Sequence, residues 1–381
     1  MLTSRERVKL ALEHQEPDRV PTALGGGPYG MVDDLYFKLL NRFGLGTPVQ
    51  PFRSGHNISY LDDRVFERLG VDTRYVAPGA SPNSPSQQTA DPNIFIDGFG
   101  QRWIRAVPYF YADRGILTEA QSIDDVERLV TWPDTTLTQW TAGVRERAQA
   151  LKGSDCYVIA RMVMSHGVFQ TACDLRGMEQ FMIDLSTDPE FAQHLLDRIT
   201  ATIDGLLRGY LAAAGDAIDM IELPGDDYAS NLNLLMSPRM FRRFIKPSIQ
   251  TFVNTIKSFR PDLKVMLHSD GMIEKLIPDL IESGVDVVHP LEPLPAMNLG
   301  TIKAAYGDKL AFIGGIDISH AMPGTVDDVV DEVKRRIAEL APGGGYVLAP
   351  SNHLQADVPP ENVVALFDAA RKYGTYPIGE S

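Results

Sequence analysis

Residues 264–271 read Lys-Val-Met-Leu-His-Ser-Asp-Gly. Three apolar residues, Val265, Met266 and Leu267, run straight into His268, Asp270 and Gly271. That is the pattern of a buried parallel strand delivering polar side chains at its C-terminal end. Residues two apart on an extended backbone point the same way, so His268 and Asp270 share a face. Such a pair holds a divalent metal or moves a proton. The competing reading is a strand-end histidine satisfied by a carbonyl, with Asp270 capping the next helix. A metal needs further ligands, and other segment ends offer Glu222, Asp226, Asp227, His289, Asp317, Asn352 and His353. Each has a structural alternative. Asp226 and Asp227 can cap a turn after Pro224-Gly225, His289 can be a packed imidazole before Pro290, and Asp317 follows two glycines in a turn. Within this set, His268, Asp270, Asp226 and Asp227 are the candidate catalytic groups. Asn352, His289, Asp317 and the loop residue His166 are the candidates for substrate contact. No Gly-x-Ser-x-Gly segment is present, and neither Cys156 nor Cys173 stands beside a plausible base. Nucleophilic catalysis is therefore set aside in favour of metal-assisted or acid/base chemistry.

Positioning these residues requires many strand ends on one side. Short apolar runs at 19–24, 71–76, 156–162, 217–222, 264–268, 285–289, 311–314 and 345–349 alternate with amphipathic helical stretches. Alternation of this kind implies a parallel sheet covered by helices. Eight such units predict a single (β/α)8 TIM barrel over residues 1–381, with an N-terminal helix in front of it. Residues 78–120 break the rhythm, and 94–106 read as a hairpin inserted over the barrel mouth. The Gly-Gly-Gly-Pro segment at 25–30 matches neither phosphate-binding pattern and reads as a flexible loop on the same rim.

The 381 residues carry a formal charge of −14, which excludes nucleic acid as a partner, since phosphate binding needs a cationic face. Two cysteines without metal or disulfide spacing are those of a cytoplasmic chain. No apolar run is long enough to span a membrane.

With those residues in view, the chain resembles the uroporphyrinogen decarboxylase superfamily. The resemblance runs through Thr3-Ser4-Arg5-Glu6-Arg7-Val8, Pro17-Asp18-Arg19-Val20-Pro21, Leu175-Arg176-Gly177 and Met236-Ser237-Pro238. It is densest at His268-Ser269-Asp270-Gly271, Gly314-Gly315-Ile316-Asp317 and Val358-Pro359-Pro360-Glu361-Asn362. It implies a (β/α)8 barrel and one of two activities. Tetrapyrrole decarboxylases carry an Arg-rich segment near the N-terminus, where this chain has 25–30 and no arginine; a polycarboxylate substrate needs cationic partners. The corrinoid-dependent methyltransferase branch is the closer likeness. Its thiol-methylating members hold zinc with a His-x-Cys pair and a later Cys, and these positions become His268, Asp270 and Asn352 here. The resemblance thus implies a harder O/N metal site, zinc being the expected ion, at His268 and Asp270. Glu222, His289 and His353 are the candidates to complete it, Glu222 or His353 foremost. It further implies a small O- or N-methyl donor, a separate corrinoid (cobalamin) protein as partner, and an assembly in which a homodimer is admissible. The runner-up is a metal-free decarboxylase of a small acid or tetrapyrrole, with His268 and Asp270 as proton shuttle.

Overall fold

The computed structural model describes residues 2–53, 56–106 and 109–379. Eleven strands occur among them: β1 (Thr73–Val76), β2 (Gln87–Gln88), β3 (Ile94–Ile96), β4 (Arg102–Ala106), β5 (Tyr109–Ala112), β6 (Tyr157–Ala160), β7 (Met220–Glu222), β8 (Lys264–His268), β9 (Val287–His289), β10 (Ala311–Ile316) and β11 (Tyr346–Pro350). Seven of them form one curled parallel sheet in the order β1-β6-β7-β8-β9-β10-β11. Its strands are buried nearly throughout, as apolar runs such as Tyr-Val-Ile-Ala in β6 require when both faces are covered. The cover is helical. Helix Pro189–Ala214 starts on an Asp188 side-chain cap with Pro189 in its first turn, and it buries a stripe that includes Leu195, Ile199, Ile203 and Leu207. Helix Val326–Leu340 opens on a Thr325–Asp328 capping box. One contiguous core of buried side chains runs from Val8 to Ala370. Among the described residues no helix is long and apolar enough to cross a membrane.

The first of the eight expected strands, at residues 19–24, is reduced to two isolated bridges, parallel from Thr22 to Leu348 and antiparallel from Arg19 to Thr375. Ala23 N donates to Leu348 O (2.9 Å) and Leu348 N to Pro21 O (2.9 Å), while Asp72 N donates to Thr22 O (3.0 Å). The ladder stops there for two reasons. Pro21 has no N–H, and the Thr22 N–H is taken by the Asp72 carboxylate at 2.9 Å rather than by a strand.

Two further expectations change. The insertion is not a lone hairpin but a four-stranded antiparallel sheet, β2-β3-β4-β5, although positions 107 and 108 lie outside the described residues. Stacked rings of Phe95 and Trp103 and an Asp97 carboxylate that accepts from Phe99 N, Gln101 N and Trp103 Nε1 fix its central turn. Residues 25–30 do reach the cavity wall, at Gly27 and Pro28, but as a packed segment: every residue from 21 to 30 is buried. At Gly27 a Cβ would fall 2.2 Å from Met162 Cε and 2.9 Å from Glu222 Oε2, so a larger residue would have to displace the Met162 tip and the Glu222 carboxylate.

Candidate functional site

Register places the histidines. Met266 of β8 pairs with Val287 of β9, which brings the last residues, His268 and His289, side by side. Their Nδ1 atoms are 2.9 Å apart. His289 is fully buried, and its Nε2 is 3.1 Å from Pro350 O. A carbonyl oxygen can only accept, so His289 Nε2 carries the proton. Burial, then the nearby His268, holds His289 well below the usual imidazole range, so the ring is neutral and its Nδ1 is bare. His268 Nδ1 must therefore donate across the 2.9 Å contact. In the neutral ring this leaves the lone pair of His268 Nε2 facing outward from the strand ends.

That lone pair meets two carboxylates. His268 Nε2 lies 3.8 Å from Asp270 Oδ1 and 3.8 Å from Asp227 Oδ1. The three donor atoms lie within 4.8 Å of one another. Asp270 is held by Asn352, whose Nδ2 donates to Oδ2 at 2.6 Å. Asp227 accepts from Asp270 N at 2.9 Å. Asp270 Oδ1, however, is buried with no hydrogen-bond partner. Burial pushes the Asp270 carboxyl up to about 6 against the pull of His268. An orphaned oxygen, a second carboxylate oxygen and a bare imidazole nitrogen fit a divalent cation of borderline or hard character.

The centre opens into a cavity of about 610 Å³, whose wall includes Asp227, His268, Asp270, Asn352, His353 and His166. His166 Nδ1 is 2.6 Å from Asp174 Oδ2. Burial pulls His166 down, but the Asp174 carboxylate overcomes it and holds the ring above its usual range. His353 Nδ1 accepts from Gly30 N at 2.9 Å, and burial and Arg53 hold this ring well below the usual range. His353 is thus neutral with its proton on Nε2, a donor rather than a ligand.

Other expected residues sit elsewhere. Glu222, expected as a metal ligand, has its carboxylate engaged by Gly27 N (2.7 Å) and Tyr29 Oη (2.9 Å), and the carboxylate that gathers with His268 and Asp270 is that of Asp227. Asp226 points away from the cavity and caps helix Val168–Arg176, accepting from Phe169 N and Gln170 N. His289 stands behind His268 and does not line the cavity. Asp317 folds back on its own turn, accepting from Ser319 N (2.7 Å) and His320 N (3.0 Å).

Several cavity residues were not anticipated. Tyr109 and Tyr111 come from the inserted sheet, and Arg53 and His56 from an aperiodic loop. Arg161 directly follows β6 and lines an adjoining chamber; its place at a strand end was a usable signal.

A family model described as uroporphyrinogen decarboxylase (URO-D) matches residues 115–373. Methylcobamide:CoM methyltransferase MtaA of Methanosarcina barkeri is 27% identical over 231 residues, 60% of this chain and 61% of that protein. Uroporphyrinogen decarboxylase of Chlorobium limicola is 25% identical over 193 residues, 49% of this chain and 50% of that protein. The chain therefore spans between half and about three fifths of the length of these curated relatives. A solved methyltransferase from Methanosarcina mazei shares the fold, with a TM-score of 0.61 at 20% identity over 98% of this chain and 99% of that one.

Proposed function

The chain belongs to the uroporphyrinogen decarboxylase family, and on that premise we propose that it moves a methyl group from a small O- or N-methyl donor to the corrinoid of a separate protein. The likeness to a methylcobamide methyltransferase supports the reaction class. The observation that carries the reading is the convergence of His268 Nε2, Asp227 Oδ1 and the orphaned Asp270 Oδ1. With His268 neutral, the Asp270 N–H on Asp227 Oδ1 is the one hydrogen donated to these three atoms among the described residues, and a cation would satisfy the lone pairs that remain.

Asp227, His268 and Asp270 would hold a divalent ion, zinc by ligand type; when bound, it polarises the methyl-bearing heteroatom as a Lewis acid. The remaining steps belong to the chain. His289 fixes the His268 tautomer, and Asn352 fixes the Asp270 carboxylate. His166, kept protonatable by Asp174, faces the same cavity and hands a proton to the departing oxygen or nitrogen. His353 Nε2–H gives the donor a hydrogen bond. Tyr109 and Tyr111 of the inserted sheet narrow the mouth and limit water. We further read residues 19–24 as the stave that closes an eight-membered barrel between β11 and β1, within one domain spanning 1–381.

The test is metal content after purification together with methyl transfer to reduced cobalamin. The expected result is stoichiometric metal in the wild type, with metal and transfer both lost in His268→Ala. A metal-free chain whose His268→Ala variant transfers methyl groups at the wild-type rate would remove the reading. A second reading, metal-free decarboxylation, is favoured by the decarboxylases among the relatives and by the raised Asp270 carboxyl, which suits a proton shuttle. Undiminished turnover in chelator would select it.

A further inference from the structure

Beside the centre, the cavity opens into a chamber of about 410 Å³ with a different chemistry. Arg53, Met162 and Ser165 line both spaces, so the two adjoin. The polar side chains of the chamber are Arg53, Arg161, Ser81, Ser84 and Ser165, and among the described residues no carboxylate lines it. Everything charged in its wall is cationic.

The two guanidiniums are held without an anion. Arg161 is 3% exposed. One of its terminal nitrogens donates to Gly26 O (3.1 Å) and Gly27 O (3.4 Å), while its Nε is buried with no partner. Arg53 Nε donates to Ile58 O at 2.7 Å. The Phe52 ring lies 4.4 Å from the Arg161 guanidinium carbon and 5.1 Å from that of Arg53, a contact that fixes both groups without neutralising either. The Ser81 hydroxyl is likewise buried and unpartnered. Glu222 is the carboxylate whose field Arg161 feels most, and its oxygens are already taken by Gly27 N and Tyr29 Oη. Burial and the like charge of Arg161 push Arg53 down to about 9, the direction expected of a cation lacking its counter-ion. Buried charges left unpaired are costly, and proteins keep them where a ligand supplies the partner.

We propose that Arg53 and Arg161 bind the carboxylate of the substrate, so that the methyl donor is an organic acid with its methylated heteroatom at the Asp227–His268–Asp270 end. The inference rests on the methyl-transfer reading for the identity of that far end; the oxyanion site itself does not need it. Guanidinium and hydroxyl donors meet a carboxylate or a phosphate by the same chemistry, so the probes must separate the two.

The test uses the full chain as purified, treated with chelator and without corrinoid, and reads affinity by calorimetry. Methoxyacetate and 4-methoxybenzoate are compared with 2-methoxyethanol and 4-methoxybenzyl alcohol, neutral molecules of matching length, and with inorganic phosphate. At least one carboxylate should bind about tenfold or more tightly than its neutral counterpart. That preference should collapse in Arg53→Gln and Arg161→Gln and survive in part in Arg161→Lys. Arg161 also holds the carbonyls of Gly26 and Gly27, so should Arg161→Gln not fold, Arg53→Gln, which loses the Ile58 hydrogen bond and the Phe52 ring contact, decides. Equal affinity for acid and alcohol, no binding of either acid, binding of phosphate alone, or a preference unchanged in Arg53→Gln would each overturn the proposal. Carboxylate binding with no methyl transfer would sink the proposed function and leave this site standing. Methyl transfer from neutral donors alone would do the reverse.

Discussion

The two ends of the cavity are incomplete in opposite senses. At one end Asp227, Asp270 and the bare nitrogen of His268 gather negative charge and lone pairs with no cation among them. At the other, Arg53 and Arg161 gather positive charge with no ion-pair partner among the described residues. They are also held differently. The acidic end is fixed by side chains at strand ends, with Asn352 on Asp270 and His289 on His268. The basic end is fixed by backbone carbonyls and one aromatic ring. On the two proposals made above, the contrast means two guests at once, a cation at one end and an anion at the other. A molecule reaching both must be polar at both tips.

If the ends are independent, breaking one should leave the other intact. Asp270→Ala or His268→Ala removes one of three ligand atoms, and metal affinity should fall by on the order of 100-fold or more, beyond what loss of a supporting residue costs. Competition with a chelating dye measures it, and the carboxylate preference should stay within about threefold of wild type. Loss of both properties together would mean that one network spans the cavity. His289→Leu sharpens the contrast, because it deletes no ligand atom but leaves His268 Nδ1 without its acceptor. Metal affinity should drop by about 10- to 100-fold. An unchanged affinity would show that the tautomer of His268 is not set from behind.

A smaller effect is expected from pH. The Asp270 carboxyl, pushed up to about 6 by burial, takes a proton in competition with the metal, so affinity should fall as pH drops through that value. In the metal-free chain Asp226 works in the other direction. It is pushed up to about 7 by burial, well above the unfolded carboxylate value of about 3.9. Between those values the folded Asp226 binds more protons than the unfolded one, so its contribution to stability rises as pH falls across the window, by on the order of 1 kcal/mol per unit at most. His289 and His353, held neutral when folded, contribute with the opposite sign below the unfolded imidazole value of about 6.5. The Asp226 contribution is therefore read as the difference in melting temperature between wild type and Asp226→Asn, which should shift in favour of the wild type from pH 7 to 5. A difference that stays constant over that range would mean that the Asp226 carboxyl is ionised throughout.

How legible all this was in the sequence depended on where a residue sits. Seven of the expected strands are present because parallel strands buried on both faces must be apolar runs, and such runs stand out. The 19–24 segment deceived because apolarity does not report hydrogen bonding: Pro21 and the Asp72 carboxylate end its ladder. His268 and Asp270 were visible as the polar end of one run, whereas the basic chamber was not. Arg53 and Ser81 come from loops without periodicity, and only the tertiary path of the chain brings them to Arg161. The scarcity of cations expected from a net charge of −14 was a statement about the whole surface, and it says nothing of where the buried Arg161 and the half-buried Arg53 face.

Asp317 draws the boundary of the site most finely, and the expected effect there is the smallest. In the sequence it is equivalent to Asp270, an acidic residue just beyond an apolar run. The backbone separates them. After β8 the chain carries Asp270 into the cavity, where one oxygen stays orphaned. After β10 it turns at once, and both Asp317 oxygens are spent locally, on Ser319 N and His320 N and, at 3.2 Å, on His320 Nδ1. A carboxylate so used is a cap. Asp317→Ala should therefore cost about 1 kcal/mol of stability, the ordinary value for losing a cap. Metal affinity and carboxylate preference should both remain at wild-type levels. A change of about tenfold in either, equivalent to about 1.4 kcal/mol, would mean that the turn after β10 reaches the cavity and that the site extends further round the sheet than its wall indicates.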